Sequence, residues 1–215
     1  MIKLLNVVVV THTTGNRLIE LDRCKRSVEE QLEKGDSHQV IQTTGLMKAR
    51  WDSLRLANYI AWVDDDDYIM NDSLRLCKQA IEEHDVGIAF TNESLYEGAV
   101  HRAPRFYSDV ATTPSAIHHL CLLKTSLIPE SVWRDYEQIG MGLEWLIKGY
   151  LALKHGAIHV PIDGYHWTQH ADQHSKSKEK WIDPYNKVFS QLQKTLVSYA
   201  GDRCDSLIPQ FVTSS

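Results

Sequence analysis

Four consecutive aspartates, at positions 64–67, directly follow the apolar residues 61–63 in the segment AWVDDDDYIM. Like charges about 4 Å apart repel by roughly 1 kcal/mol in water, and by several times more beside a protein wall. The run therefore requires either full solvation, as in an acidic turn, or a cation. If the chain stays extended, Asp64 and Asp66 lie on one side and Asp65 and Asp67 on the other. Such a DxD pair suits Mg²⁺ or Mn²⁺ held together with a diphosphate.

The segments around this run alternate between strand-like and helix-like patterns, which predicts an α/β sheet with crossover helices. Strands are predicted at residues 4–11, 38–42, 59–63 and 86–91. Three helices are predicted between these strands. The first carries apolar residues at helical spacing (Leu18, Leu21, Cys24, Val28 and Leu32). The second covers residues 47–58, and the third begins after a cap at Asn71 or Asp72. Ligands of open α/β sheets bind at the carboxyl ends of strands. Residues 11–13 and 64–67 occupy such ends.

Composition limits the class of protein. The 215 residues are 43% hydrophobic and 24% charged, which is enough for one sizeable core, and the net charge is −5 with a pI near 6.1. A nucleic-acid partner would therefore need a local basic patch. The four cysteines lie far apart without metal-binding spacing, and no segment has the length of a transmembrane span. We expect a cytoplasmic protein with structural thiols.

Three blocks of the sequence resemble family 2 glycosyltransferases, in the order that this family has them. VVVVTHTTGNRLIELDRCKRSVEEQ is similar to the family's first strand and helix. KARWDSLRLANYIAWVDDDDYIMNDSLRL resembles its Ala-Arg helix and the strand that ends in Leu-Asp-x-Asp-Asp. GMGLEWLIKGYLALKHGAIHVPIDGYHWTQHADQHS resembles its Gly-x-Glu-Asp segment and closing Gln-His. The resemblance implies a GT-A fold, a mixed, mostly parallel sheet flanked by helices.

This resemblance divides the chain into a glycosyltransferase domain at residues 1–175 and a C-terminal helix and tail at 176–215. Residues 1–92 would form the nucleotide-sugar-binding half, and 93–175 the acceptor and catalytic half. A helix at 181–199 either closes the core or holds a second subunit in a homo-oligomer. We expect the tail after Gly201 to be loosely ordered.

The resemblance also implies roles for individual residues. Glu144 matches the second acidic position of Gly-x-Glu-Asp, where the family keeps its general base, although Leu143 replaces the paired acid. A base there would take the proton of the acceptor hydroxyl in a one-step inverting transfer. The alternative is a helix N-terminal glutamate favoured by the helix dipole.

The remaining implied contacts concern the donor and the cation. The metal ligands would be Asp64, Asp66 and His170, with His174 a neighbouring candidate. The donor contacts would be Thr11 and Thr13 beside the base, Arg50 at the phosphates, Asp67 at the donor sugar or metal, and Asp65, the most dispensable. The alternatives are that the threonines only form a turn, that Arg50 is a surface charge on a helix, and that His170 is an ordinary surface or core residue.

Departures from the family concern the nucleotide base and the acceptor. The usual Asp-Asp-Gly-Ser after the second strand is absent, and Gln42, Thr43 and Thr44 stand there. A UDP-sugar donor is favoured, but these three residues could relax or change the preference for uridine as the base. The acceptor, a glycan or another hydroxyl-bearing molecule, would meet residues 101–109 and 118–119. The basic and aromatic residues Arg102, Arg105, Phe106 and Tyr107 admit a phosphorylated, lipid-linked or nucleic-acid acceptor, or form a solvated hairpin loop.

Two other functions fit the aspartate run. A haloacid-dehalogenase-like phosphoryl-transfer enzyme also carries DxD after a strand, but its nucleophilic aspartate lies on the first strand, which here ends in VTHTTG. A non-catalytic nucleotide-sugar or metal-binding protein would keep the aspartates without needing Glu144.

Overall fold

The computed structural model describes residues 5–70, 72–95, 99–101, 103–168 and 183–211, which contain eight strands and seven α-helices. In chain order the strands are β1 (Val8–Thr13), β2 (Ser37–Gln42), β3 (Tyr59–Asp64), β4 (Tyr68–Ile69), β5 (Ile88–Ser94), β6 (Val100–His101), β7 (Cys121–Lys124) and β8 (Ala157–His166). The helices are α1 (Leu18–Glu29), α2 (Leu46–Ser53), α3 (Ser73–His84), α4 (Tyr107–Thr112), α5 (Glu130–Ile139), α6 (Leu143–His155) and α7 (Asp183–Ala200).

The strands form one mixed sheet in the order β2-β1-β3-β7-β5-β8-β4, with β6 paired to β5. The longest pairings, of β1 with β2 and β3 and of β5 with β8, are parallel. β7 lies antiparallel between β3 and β5. The four predicted strands are present as β1, β2, β3 and β5. β3 and β5 are not neighbours, because β7, which comes later in the chain, lies between them.

The strand β1 shows why this half folds as it does. Its β-branched residues alternate between two faces of the sheet, so Val9 packs under α1 and α3 while Val10 packs against Trp62 and the helices of the opposite face. Both valines are fully buried. The strand begins at Val8 rather than residue 4 and continues to Thr13. His12 therefore lies inside the strand, beside Asp64 of β3.

Helix boundaries differ from the predictions where the chain nears the strand ends. α2 ends at Ser53, before the predicted residue 58. In α1, Cys24 and Val28 are buried as expected, but Leu18 is 72% exposed, so its predicted place on the buried face is wrong. Among the described residues, no helix combines the length and apolar character that crossing a membrane would require.

α7 packs on α6 and α4 and shares their core, since Leu192 and Leu196 are fully buried there. The residues after it are also packed. The backbone N–H of Phe211 donates to the carbonyl of His159 in β8, and that of Ile208 donates to the carbonyl of Arg105. Phe211 and Ile208 are buried. The expectation of a loosely ordered tail is therefore wrong for residues 202–211, because this segment buries apolar side chains and forms backbone hydrogen bonds with β8 and with Arg105.

Candidate active site

The aspartate run forms a tight turn. β3 ends at Asp64, the N–H of Asp67 donates to the Asp64 carbonyl at 3.1 Å, and β4 begins at Tyr68. The chain is therefore not extended through the run, and the predicted alternation, with Asp64 and Asp66 on one side and Asp65 and Asp67 on the other, is wrong. Asp65, Asp66 and Asp67 are buried, whereas Asp64 is partly exposed. The turn instead points the carboxylates at different partners.

Two arginines of the α1 region hold the tip of this turn. Arg17 forms ion pairs with the carboxylates of Asp66 and, at 3.4 Å, Asp65. Arg23 donates to the backbone carbonyl of Asp66 at 2.6 Å, and its guanidinium lies over the Tyr68 ring. Together they bring two positive charges to the acidic turn.

Asp67 ties the turn to the end of β8. Its carboxylate accepts hydrogen bonds of 2.7 Å from the Tyr165 hydroxyl and from the backbone N–H of Thr168. Burial and the nearby carboxylates of Asp64 and Asp66 raise the pKa of Asp67 to about 9. These surroundings therefore disfavour the ionised form of Asp67, and a further cation nearby would favour it.

Arg50, in α2, connects the aspartate turn with Glu144. Its two terminal nitrogens form ion pairs with Asp64 and with Glu144, and its side chain is 3% exposed. The guanidinium carbon lies 5.8 Å from the centre of the Trp62 ring. Arg50 is therefore a buried cation shared by two carboxylates and not a surface helix charge.

Glu144 stands in the first turn of α6, after a reversal that glycines permit. Gly140 ends α5 and Gly142 precedes α6, both with a φ near +80°. Besides Arg50, the Glu144 carboxylate meets His119 at 3.1 Å and Lys148 at 3.9 Å. The interpretation of Glu144 as a merely exposed helix-terminal charge does not fit these buried partners.

Burial keeps the imidazoles beside Arg50 uncharged. It lowers the pKa of His119 well below the ordinary value, and the charges of Lys148 and Arg50 act in the same direction. It likewise lowers the pKa of His12 to about 4, again aided by Arg50. Besides His119, the basic side chains that contact Glu144 in this part of the site are Arg50 and Lys148.

The threonines at the end of β1 face different surroundings. The Thr11 hydroxyl is buried, 2.9 Å from His38 Nε2 and 3.5 Å from the Cys24 sulfur. The Thr13 hydroxyl accepts a hydrogen bond from the N–H of Gly15 and so shapes the turn that precedes α1. Thr13 is the nearer of the two to the strand end.

Several sequence predictions concern other places. His170, His174 and Arg102 lie outside the described residues. His118 pairs with Glu93 at 3.1 Å, next to the site, whereas the Tyr107 hydroxyl is buried against the backbone of Ala157. The predicted acceptor segments are thus divided, with His118 and His119 near Glu144 and residues 105–107 packed against the C-terminal segment.

The fit of a divalent cation rests on the chemistry of the donors. Asp64 and Asp66 carry the carboxylate oxygens that Mg²⁺ and Mn²⁺ prefer. Within the described part of the chain, no group of three or more His, Cys, Asp or Glu side chains is arranged to hold a metal ion. A cation would therefore need further oxygens, such as those of a diphosphate, and the two carboxylates would have to exchange their arginine partners.

The sequence alone did not single out Arg17, Arg23 or Lys148. Arg17 directly precedes α1 and Arg23 lies within it, among polar residues that look like a solvated surface. Lys148 follows Glu144 by one helical turn, and this i, i+4 spacing was the available signal.

Comparison with known proteins identifies the fold. No protein-family model and no curated protein matches the sequence. The chain is similar to S. aureus TarS 1–349 in complex with UDP (TM-score 0.58, 15% identity, 93% of this chain and 71% of that chain). The complex of TarS 1–349 with UDP-GlcNAc matches with TM-score 0.51, 14% identity and coverages of 93% and 72%. GalNAc-T7 with UDP, GalNAc and Mn²⁺ matches with TM-score 0.53, 11% identity and coverages of 86% and 48%. The predicted GT-A glycosyltransferase fold is confirmed.

Proposed function

We propose that this protein is a metal-dependent, inverting glycosyltransferase that moves a sugar from a UDP-sugar to an acceptor hydroxyl. The observation that carries the proposal is the shared contact of Arg50 with Asp64, at the end of β3, and with Glu144, at the start of α6. It joins the carboxylate suited to a cation with the carboxylate suited to a base. The UDP and UDP-GlcNAc complexes of similarly folded proteins support the choice of donor.

Asp64 and Asp66 would hold Mn²⁺ or Mg²⁺ together with the donor diphosphate, with His170 as a further ligand. A divalent cation, when bound, neutralises the negative charge of the leaving diphosphate. Arg17 and Arg50, which pair with these carboxylates in the structure, would turn to phosphate oxygens of the donor instead. Thr13 would lie beside the nucleotide base, whereas Thr11, which is fully buried against His38 and Cys24, would support β1. Asp65 and Asp67 would shape the turn around the donor.

Glu144 would act as general base. As the acceptor oxygen attacks the anomeric carbon, its proton passes to the Glu144 carboxylate, and the bond from that carbon to the diphosphate oxygen breaks with its electron pair. Attack from the side opposite the leaving group inverts the anomeric configuration. The acceptor would enter near His118 and His119, and a glycan, a lipid-linked hydroxyl and a nucleic acid are the candidates to compare.

Nucleotide release tests the proposal. The purified protein is incubated with Mn²⁺ and a panel of UDP-sugars and other nucleotide sugars, with and without candidate acceptors. We expect metal-dependent release that a chelator abolishes. Asp66→Ala should weaken donor and metal binding, whereas Glu144→Gln should bind the donor but lose at least about 100-fold in rate. The matched control is Asp85→Asn, which removes an exposed carboxylate paired with Lys124, near the start of β3 and away from the aspartate turn at its end.

Other outcomes separate the alternatives. Donor binding without turnover with any acceptor would favour a non-catalytic nucleotide-sugar-binding protein. Equal rates for Glu144→Gln and the parent would exclude Glu144 as the base. Phosphate release from phosphomonoesters would favour phosphoryl transfer, although β1 carries His12 and Thr13 where a haloacid-dehalogenase-like enzyme needs its aspartate.

A further inference from the structure

Lys148 is a buried cation next to Glu144. It lies one turn further along α6, with its Nζ 3.9 Å from Oε2 of Glu144 and 3.5 Å from Nε2 of His119. The Nζ also donates to the backbone carbonyl of Ile117 at 3.4 Å. The side chain is only 4% exposed. Within the described chain, Glu144 is the carboxylate with which Lys148 forms an ion pair.

The position of Lys148 is costly for the fold. Its neighbours in α6, Leu146, Ile147 and Leu151, are fully buried, and the removal of an ammonium from water costs several kcal/mol. An apolar side chain of similar volume would fill the same space without that cost. The charge therefore calls for an explanation beyond packing, and Glu144 lies within ion-pair distance of it.

The two cations beside Glu144 differ in what else they hold. Arg50 is shared with Asp64, so a cation and diphosphate at the aspartate turn would compete for it. Lys148 instead contacts Glu144, His119 and the carbonyl of Ile117. The contact of Lys148 with Glu144 can therefore persist when the donor draws Arg50 away.

We propose that Lys148 is a positioning residue that holds Glu144 in place and keeps it ionised after Arg50 has turned to the donor. The inference rests on the proposed function of Glu144 as base. In the transfer, the proton of the acceptor hydroxyl moves to Glu144, the acceptor oxygen bonds to the anomeric carbon, and the diphosphate leaves with the electron pair. Lys148 touches neither sugar nor diphosphate in this step.

The groups that face this pair come from several elements. Burial lowers the pKa of Lys148, and the charge of Arg50 acts in the same direction, whereas the charges on other neighbours raise it (Cys121 of β7, Glu93 of β5 and Asp64 of β3). The ammonium should therefore lose its proton at a lower pH than an exposed lysine. An arginine in its place would stay charged throughout.

The test compares Lys148→Met, which keeps the volume, with Lys148→Arg, which keeps the charge. In the transfer assay we expect Lys148→Met to lose at least about tenfold in kcat with the donor KM almost unchanged. The acidic limb of its pH–kcat profile should move up by about one pH unit, because a nearby cation favours the ionised carboxylate. Lys148→Arg should restore kcat and extend the alkaline limb. Lys154→Met, an exposed lysine on the same helix, is the matched control.

A second readout does not depend on transfer. The carboxyl carbons of ¹³C-labelled glutamate are titrated by NMR in the parent and in Lys148→Met, with the Glu144 signal identified by its absence in Glu144→Gln. A Glu144 midpoint that moves to higher pH in Lys148→Met supports the proposal, and an unchanged midpoint in a folded variant overturns it. An inactive parent with a shifted midpoint would refute the glycosyltransferase function but not the pairing. Lys148 would be a structural residue only if Lys148→Met loses kcat while the acidic limb and the Glu144 midpoint stay unchanged, and if Lys148→Arg loses kcat as well.

Discussion

Asp64 and Glu144, which belong to different halves of the chain, bind the same guanidinium. Arg50 places one terminal nitrogen on each carboxylate and is itself buried against Trp62. In this arrangement one cation is shared by the carboxylate proposed to hold a metal and the carboxylate proposed to act as base. The departure of Arg50 toward a diphosphate would then free Asp64 and leave Glu144 with Lys148, which couples donor binding to the readiness of the base.

A double-mutant cycle measures this coupling. Arg50→Met should lower the unfolding free energy by about 3–5 kcal/mol, because it leaves two partly buried carboxylates without their cation. Adding Glu144→Gln to Arg50→Met should recover at least about 1 kcal/mol, since one of these charges is then gone. Denaturant unfolding of the parent, both single variants and the double variant gives the value. Strictly additive changes would contradict the shared ion pair.

Arg17 competes with any metal ion for Asp66. Arg17→Gln removes that competitor, so Mn²⁺ alone should bind the variant several-fold more tightly than the parent, because one carboxylate no longer has to give up an ion pair. Isothermal titration with Mn²⁺ in the absence of nucleotide gives the affinity. Arg26→Gln is the control, since Arg26 pairs with exposed Asp22 on the same helix. Weaker binding by Arg17→Gln would mean that Arg17 supports the cation site instead of shielding it.

The sequence predicted much of the first half of the fold because local patterns determine it. β1 and β3 are continuous β-branched or apolar runs, and the crossover helices carry their apolar residues at helical spacing. The place of β7 between β3 and β5 was not predictable in this way, because it depends on an antiparallel pairing with strands distant in the sequence. Likewise, the hydrogen bonds of Ile208 and Phe211 give no periodic signal.

The site shows the same division. The aspartate run and Glu144 were identified from residue type and from the resemblance, and both lie at ends of elements, as expected. The alternation of the aspartates was wrong because a turn begins at Asp64, and Arg17 and Arg23 were missed because their partners lie far along the chain. A charged side chain in an amphipathic helix looks solvated until the fold brings a carboxylate to it.

His12 should make the protein sensitive to mild acid. The unfolded chain takes up a proton on this imidazole near pH 6.5, but in the folded chain the pKa is about 4. The neutral His12 therefore costs the folded protein no stability above about pH 6.5. Below that pH the unfolding free energy decreases, by about 1–2 kcal/mol at pH 5. In denaturant unfolding, the drop in unfolding free energy from pH 7 to pH 5 should be smaller for His12→Gln than for the parent. His84→Gln, at an exposed imidazole, should behave as the parent, and an equal slope for His12→Gln would contradict the buried neutral state.

Gly149 allows α7 to approach α6 closely, which holds the helix that carries Glu144. A Cβ on Gly149 would lie 2.3 Å from a methyl carbon of Leu196. Gly149→Ala should therefore lower the unfolding free energy by about 1–3 kcal/mol, despite the better helix propensity of alanine. Combined with Leu196→Val, which removes the crowded methyl group, the loss should be less than the sum of the single changes. If Gly149→Ala instead stabilises the protein, α7 does not pack on α6 of its own chain, and the helix would be available to a second subunit.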